Sequence, residues 1–342
     1  MPSATSRLSG VTSLVFPLNI HPRCCALSSR SRSFRVRPYP ARPSSGRFPW
    51  PSFRAQQGIS LLFLLLFVRA PLFAGTARIE CTTIPSKILA HPVNYCMVLP
   101  PSYDADRTRK FPILYFFHGL GDDEQMFIHG GAFNLAQDLW ERGQIGEFLI
   151  ATPNADATFY INSRDGKARY EDFLVQEFLP GIEARYRVAP SRQNRGVAGV
   201  SMGGYGALHL AFRHPQLFSA VSAHSPAIID KLPAFAAPTS GGSMRSRVLG
   251  GVFGSPPDPV FWDRNSPLTL ARTANLSGLR IYFDCGDQDD FGFESGAAAL
   301  DKILVFRHIP HEAHIYPGRH DWQYFAEHLP ASLEFHSHLF PR

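Results

Sequence analysis

Gly199-Val200-Ser201-Met202-Gly203 has the spacing G-x-S-x-G, which holds a serine on a sharp turn between a strand and a helix. A serine hydroxyl is a weak nucleophile at neutral pH, so attack on an ester or thioester carbonyl requires partners. One is a histidine that takes its proton. Another is a carboxylate that orients the histidine and stabilises its charged form. Backbone amides aimed at the developing oxyanion complete the set. The flanking residues supply the turn: Arg195-Gly196-Val197-Ala198 reads as a short buried strand, and residues 205–212 as an apolar helix that stops near His214-Pro215. At so tight a turn a Cβ at Gly199 or Gly203 collides with the neighbouring strand or helix, and the serine itself is held in strained backbone geometry.

In a parallel α/β sheet the reacting groups converge at the carboxyl ends of the strands, in chain order Ser, Asp, His. The loop Asp284-Cys285-Gly286-Asp287-Gln288-Asp289-Asp290 offers four acids, three of which are expected to be caps or solvated turn residues. Fourteen histidines are present. His320 stands out because it sits in a glycine-containing loop after a strand and before the last helix. His209 and His328 fall on helices and read as structural groups. His118-Gly119-Leu120-Gly121 follows a buried strand and is the expected source of one oxyanion donor, with the Met202 amide as the other. His308, His311 and His314 invite a metal reading, but His311-Glu312-Ala313-His314 is not H-E-x-x-H, and alternation along a strand accounts for them more simply.

These residues need elements to carry them. Residues 78–85 and 91–99 read as two antiparallel strands ending at Pro100-Pro101. Residues 111–117 form a continuous apolar and aromatic run, as in a strand buried on both faces. A helix over 132–142, a strand over 147–153 and a strongly amphipathic helix over 170–186 follow. Beyond the serine turn come strands at 218–224, 279–283 and 311–316, with helices at 295–307 and 324–338. Repeated strand–helix alternation implies a mostly parallel sheet with helices on both faces. Residues 225–275 break the rhythm with a Pro/Gly/Ser-rich stretch, the length of a lid or substrate wall.

The chain has 342 residues, 44% of them hydrophobic, enough for one large α/β domain or two small ones. Its net charge of +6 belongs to a leader: residues 1–74 hold ten arginines and no acid, leaving 24 Lys+Arg against 28 Asp+Glu in the mildly acidic remainder. No nucleic-acid patch follows from that balance. Residues 1–57, rich in Arg, Ser and Pro, read as unstructured. Residues 59–68 are an apolar run of about 15 Å as helix, too short to span a bilayer but right for the core of a signal peptide over 58–77. Cleavage near Ala74 or Ala77 leaves a secreted or periplasmic chain with no stable membrane span. Translation starting downstream of Met1 explains the distance of this segment from the N-terminus, and peptides from residues 1–50 of the native protein would contradict that start. A transit peptide and an uncleaved anchor through residues 59–73 remain as alternatives. Of five cysteines, Cys81, Cys96 and Cys285 lie in the expected mature part. Cys81 and Cys96 flank an apparent hairpin, where a disulfide and buried free thiols are both open. No metal or organic cofactor is implied.

The combined motifs, Gly199-Val200-Ser201-Met202-Gly203-Gly204-Tyr205-Gly206-Ala207 with His118-Gly119-Leu120-Gly121 upstream and Pro317-Gly318-Arg319-His320-Asp321-Trp322 downstream, resemble the esterase family that groups esterase D (S-formylglutathione hydrolase), feruloyl and acetyl xylan esterases, enterochelin esterases and the antigen 85 mycolyltransferases. Val98-Leu99-Pro100-Pro101-Ser102-Tyr103 and Phe253-Gly254, Phe261-Trp262 and Asn265-Ser266-Pro267 resemble its pattern too. The resemblance covers residues 78–340 and implies the α/β-hydrolase fold, with an insertion at about 225–275. It places the nucleophile on Ser201, the histidine on His320, the acid on Asp289 within Cys285-Gly286-Asp287-Gln288-Asp289, and the oxyanion amides on Leu120 and Met202. Asp123, Trp262 and Arg319 are the candidate substrate contacts. Arg319 departs from the pattern, which usually has glycine there: it is expected to lower the His320 pKa, to contact an anionic or sugar substrate, or to point outward. The implied activity is hydrolysis of a small-molecule or carbohydrate-linked carboxylic ester through an acyl-serine. Acyl transfer to a sugar or lipid hydroxyl is the alternative, and a retired hydrolase scaffold used for binding is a third.

Overall fold

The computed structural model describes residues 75–230 and 244–341. The expected basic leader and most of the hydrophobic segment at 58–77 lie outside these residues, as do residues 231–243 of the expected insertion. No helix among the described residues is long and apolar enough to cross a membrane.

Strand formation follows the apolar runs. In β3 (Ile113–Phe117) every side chain is fully buried. A strand alternates its side chains between two faces, so a run with no polar residue needs cover on both. Ile113, Tyr115 and Phe117 enter the core on one face, and Leu114 and Phe116 enter it on the other. With β1 (Arg78–Ile84), β2 (Val93–Leu99), β4 (Leu149–Pro153), β5 (Arg195–Val200), β6 (Ala220–His224), β7 (Arg280–Gly286) and β8 (His311–Tyr316), it builds one eight-stranded sheet in the order β1-β2-β4-β3-β5-β6-β7-β8. Strands β3 to β8 are mutually parallel, and the hairpin β1/β2 adds antiparallel to β4. Cys81 and Cys96 face each other across that hairpin and form a disulfide, which settles the alternative the sequence left open.

Helices α1 (Met126–His129), α2 (Ala132–Glu141) and α10 (Trp322–Leu339) cover one face through Phe127, Trp140, Phe325, Leu329 and Leu333. The other face is covered by α3 (Tyr170–Phe173), α4 (Leu179–Arg185), α5 (Met202–Arg213) and α9 (Phe293–Phe306), with Phe173, Ile182, Phe212 and Leu300 buried against the sheet. The helix expected over 170–186 widens into a π-helical turn at Leu174–Phe178 between α3 and α4. Pro180, which has no N–H and crowds the carbonyl four residues earlier, stands just after it.

Most of the described part of the insertion is helical: α6 (Met244–Phe253), α7 (Pro259–Asn265) and α8 (Pro267–Thr273). Two of its prolines start helices. Pro259 and Pro267 occupy first positions, behind the N-caps Asp258 and Ser266. Alternation accounts for only two of the three clustered histidines. His311 and His314 lie on opposite faces of β8, while His308 sits in a left-handed turn before it.

Candidate active site

Ser201 follows β5 and stands at the N-cap of α5 with φ 53° and ψ −116°, a region in which a residue with a side chain is strained. Backbone bonds hold it there: its N–H donates to His224 O at 2.9 Å, and its carbonyl accepts from Ala227 N at 2.9 Å. The two glycines of the motif are needed for close approach. A Cβ on Gly199 overlaps the Gly203 carbonyl, and one on Gly203 overlaps the Phe117 carbonyl.

His320, in the loop between β8 and α10, brings Nε2 to 2.9 Å from Ser201 Oγ and Nδ1 to 2.6 Å from Asp289 Oδ2. Satisfying both bonds puts the proton on Nδ1, which donates to the carboxylate, and leaves Nε2 to accept from the serine hydroxyl. Three rings pack edge-on around the imidazole: Phe291 at 4.8 Å, Phe293 at 5.3 Å and Phe325 at 5.4 Å. Asp289 Oδ1 accepts from Phe291 N at 2.9 Å and Phe293 N at 3.4 Å. Burial pushes this carboxyl up, but the His320 bond and charge, with the two amides, outweigh it and hold it below the usual carboxylate range.

The other three acids of the loop divide differently from expectation. Asp287 accepts from Gly318 N at 3.1 Å, and Asp290 pairs with Arg319 and accepts from His320 N at 3.3 Å, so both clip the histidine loop. Asp284 is neither a cap nor solvated. It is fully buried under the site, bonded to His224, Tyr282 and Tyr324.

The Leu120 amide leaves the loop after β3 and the Met202 amide is the first of α5. No backbone carbonyl among the described residues accepts from either. Gly119, beside Leu120, approaches the Ser201 side chain so closely that a Cβ there lies 3.6 Å from Ser201 Cβ. Sequence reasoning missed how this loop is fixed. His118 is buried; its Nδ1–H donates to Gly119 O at 2.8 Å, and its Nε2 accepts from Ala155 N at 2.9 Å. Burial holds its pKa below the usual histidine value, in keeping with a neutral ring that donates once and accepts once. Tyr160 stacks on Phe117 at 4.1 Å and donates its hydroxyl to His118 O at 3.2 Å. Phe159 and Tyr160 both have positive φ, and no residue preference in the sequence announces this.

Two clefts meet at Ser201. One, of about 450 Å³, is apolar and lined by Phe159, Met202, Ile229, Leu249, Phe291 and Phe293. The other, of about 470 Å³, is lined by Gly119, Asp122, Asp123, His129 and Trp322 among others. Leu120, Ser201 and His320 border both. Asp123 thus reaches a cleft, and its Oδ1 also accepts from Gln125 N at 2.8 Å. Two of the candidate substrate contacts do not. Trp262 is buried with its ring 4.5 Å from Phe253 and lines neither cleft, because α7 turns the indole into the core. Arg319 lines neither cleft either: its exposed guanidinium is held outward by Asp290. Among the described residues no group of three His, Cys, Asp or Glu side chains is placed to hold a metal ion. The arrangement can pass a proton from Ser201 to His320, as acyl transfer requires.

The family model described as Putative esterase matches residues 86–336. The chain is 30% identical over 245 residues to "Esterase Rv1288" of Mycobacterium tuberculosis (strain ATCC 25618 / H37Rv), covering 66% of this chain and 51% of that protein. It therefore spans about half the length of that relative. It is 27% identical over 229 residues to the S-formylglutathione hydrolase of Mus musculus, covering 62% of this chain and 75% of that one. A solved ferulic acid esterase superposes with a TM-score of 0.67 at 27% identity, over 78% of this chain and 100% of that one.

Proposed function

Because the chain belongs to the Putative esterase family, we propose that it is an exported serine carboxylesterase that works through an acyl-Ser201 intermediate. The observation that carries this is the continuous hydrogen-bonded chain from Asp289 through His320 to Ser201, at 2.6 and 2.9 Å. His320 takes the serine proton as Oγ attacks the ester carbonyl, and the Leu120 and Met202 amides receive the oxyanion. His320 then returns the proton to the departing alcohol. Water enters and attacks the acyl carbon as His320 takes its proton, and His320 then gives that proton to Ser201 Oγ as the acyl–oxygen bond breaks and the acid leaves.

The apolar cleft, with Phe159, Phe291 and Phe293, takes the acyl group. The cleft with Asp122, Asp123 and Trp322 takes the alcohol. Export is read from the apolar run 59–68. The test uses the full chain and its Ser201→Ala variant on p-nitrophenyl acetate, p-nitrophenyl butyrate and a feruloyl ester, with activity also assayed in cell fractions. A burst and turnover in wild type, both absent in the variant, and activity outside the cytosol are the expected results. A burst without turnover favours a transferase awaiting its acceptor alcohol. A folded protein that never acylates sinks the reading.

A further inference from the structure

Directly beneath the site lies a second polar cluster that the reaction does not touch. His224 ends β6, Asp284 lies on β7, and Tyr324 and Ser332 lie on α10; all four are buried. Asp284 Oδ2 accepts from His224 Nδ1 at 2.8 Å and from the Tyr282 hydroxyl at 3.0 Å, and Oδ1 accepts from the Tyr324 hydroxyl at 2.9 Å. His224 Nε2 lies 2.9 Å from Ser332 Oγ, whose own proton goes to Leu329 O at 3.2 Å. His224 thus bridges the carboxylate on β7 to Ser332 on α10.

A buried polar cluster of this kind is poor at adding stability, since apolar groups of the same shape often do as well. Its connections point to another use. The carbonyl of His224 holds the Ser201 amide, and the carbonyl of Asp284 holds the Ser225 amide just beyond. Tyr324 stands in the first turn of α10, its N–H is capped by Asp321 Oδ1 at 2.9 Å, and its ring packs on Gly318, where no Cβ fits. One cluster therefore grips the backbone behind the serine and both ends of the Gly318–Asp321 loop that carries His320.

We propose that Asp284, His224 and Tyr324 are positioning residues, which act through backbone to hold Ser201 and His320 in register. This rests on Ser201 being the nucleophile. Tyr324→Phe removes one hydroxyl and keeps the ring on Gly318. Tyr282→Phe removes another hydroxyl from the same carboxylate, and its ring lies against His224, His314 and Phe335, whereas the ring on Gly318 of the histidine loop is Tyr324's.

The experiment measures kcat and KM for p-nitrophenyl acetate per serine titrated with a p-nitrophenyl phosphonate, in the full-length wild type, both single variants, Asp284→Asn and Asp284→Asn/Tyr324→Phe. Tyr324→Phe is expected to lose about tenfold in kcat per titrated site with KM within about twofold, as a small misplacement of reacting groups does. Tyr282→Phe is expected to stay within about twofold of wild type, and Tyr324→Phe to cost nothing further in the Asp284→Asn background. If Asp284→Asn does not fold, the two tyrosine variants decide alone. An unchanged kcat per site in Tyr324→Phe, or an equal loss in Tyr282→Phe, overturns the inference and leaves the esterase reading standing. A wild type with no titratable serine overturns both.

Discussion

Asp289 is the residue on which the site's electrostatics turn. Its carboxylate is fixed by two amides and sits 2.6 Å from His320 Nδ1, so it both selects the tautomer and stabilises the imidazolium. Asp289→Asn keeps the shape and reverses the tautomer preference, and kcat is expected to fall about 10⁴-fold with the circular dichroism spectrum unchanged. A loss under tenfold in steady-state assay would move the role to another acid. Spacing alone could not choose among the four acids of this loop, because the choice depends on where the chain turns after β7. The family resemblance pointed to Asp289. His118 and Tyr160 were illegible for a related reason, since their roles are bonds to backbone that distant loops bring near.

At the scale of the element, the parallel strands were plain in the sequence. A buried strand has no polar face and reads as an unbroken apolar run, as Ile113–Phe117 does. The insertion was not legible, since its glycines, prolines and arginines mask three helices, two of which begin at a proline behind an N-cap. Asp258 caps α7 by accepting from Val260 N at 2.9 Å and Phe261 N at 3.0 Å. Its ion pair with Arg164 is largely exposed and adds little. Asp258→Ala is expected to cost about 1 kcal/mol, seen as a lower urea midpoint at constant slope. α7 in turn docks on α5, where the Asn265 carbonyl accepts from the Tyr205 hydroxyl at 2.8 Å and from His209 Nδ1 at 2.9 Å. A changed slope would show instead that the cap holds the whole insertion in place.

For the molecule as a whole, acid is the sensitive direction. Burial, with the nearby charge of His224, lowers the His336 pKa to about 3 from 6.5. Between those values the unfolded chain binds a proton that the folded chain refuses, so stability falls as pH drops from about 6.5, by up to about 1.4 kcal/mol per unit. Asp284 and Glu171 have lowered pKa values: burial would raise each, and their histidine partners more than reverse it. The stability they contribute is present above about pH 4 and is lost only below it, outside this window. Melting temperature is therefore expected to decline between pH 6.5 and 4.5, and His336→Met to flatten that decline. An equal decline in the variant assigns the proton elsewhere. The two clefts that share Ser201 carry a kinetic consequence of their own. If the acyl group lodges among Phe159, Phe291 and Phe293, as proposed, the cleft beside Asp122 and Trp322 serves both the departing alcohol and the arriving water. An alcohol that lingers in that cleft competes with water for the acyl-serine and returns to ester, so added alcohol is expected to divert product from acid to ester.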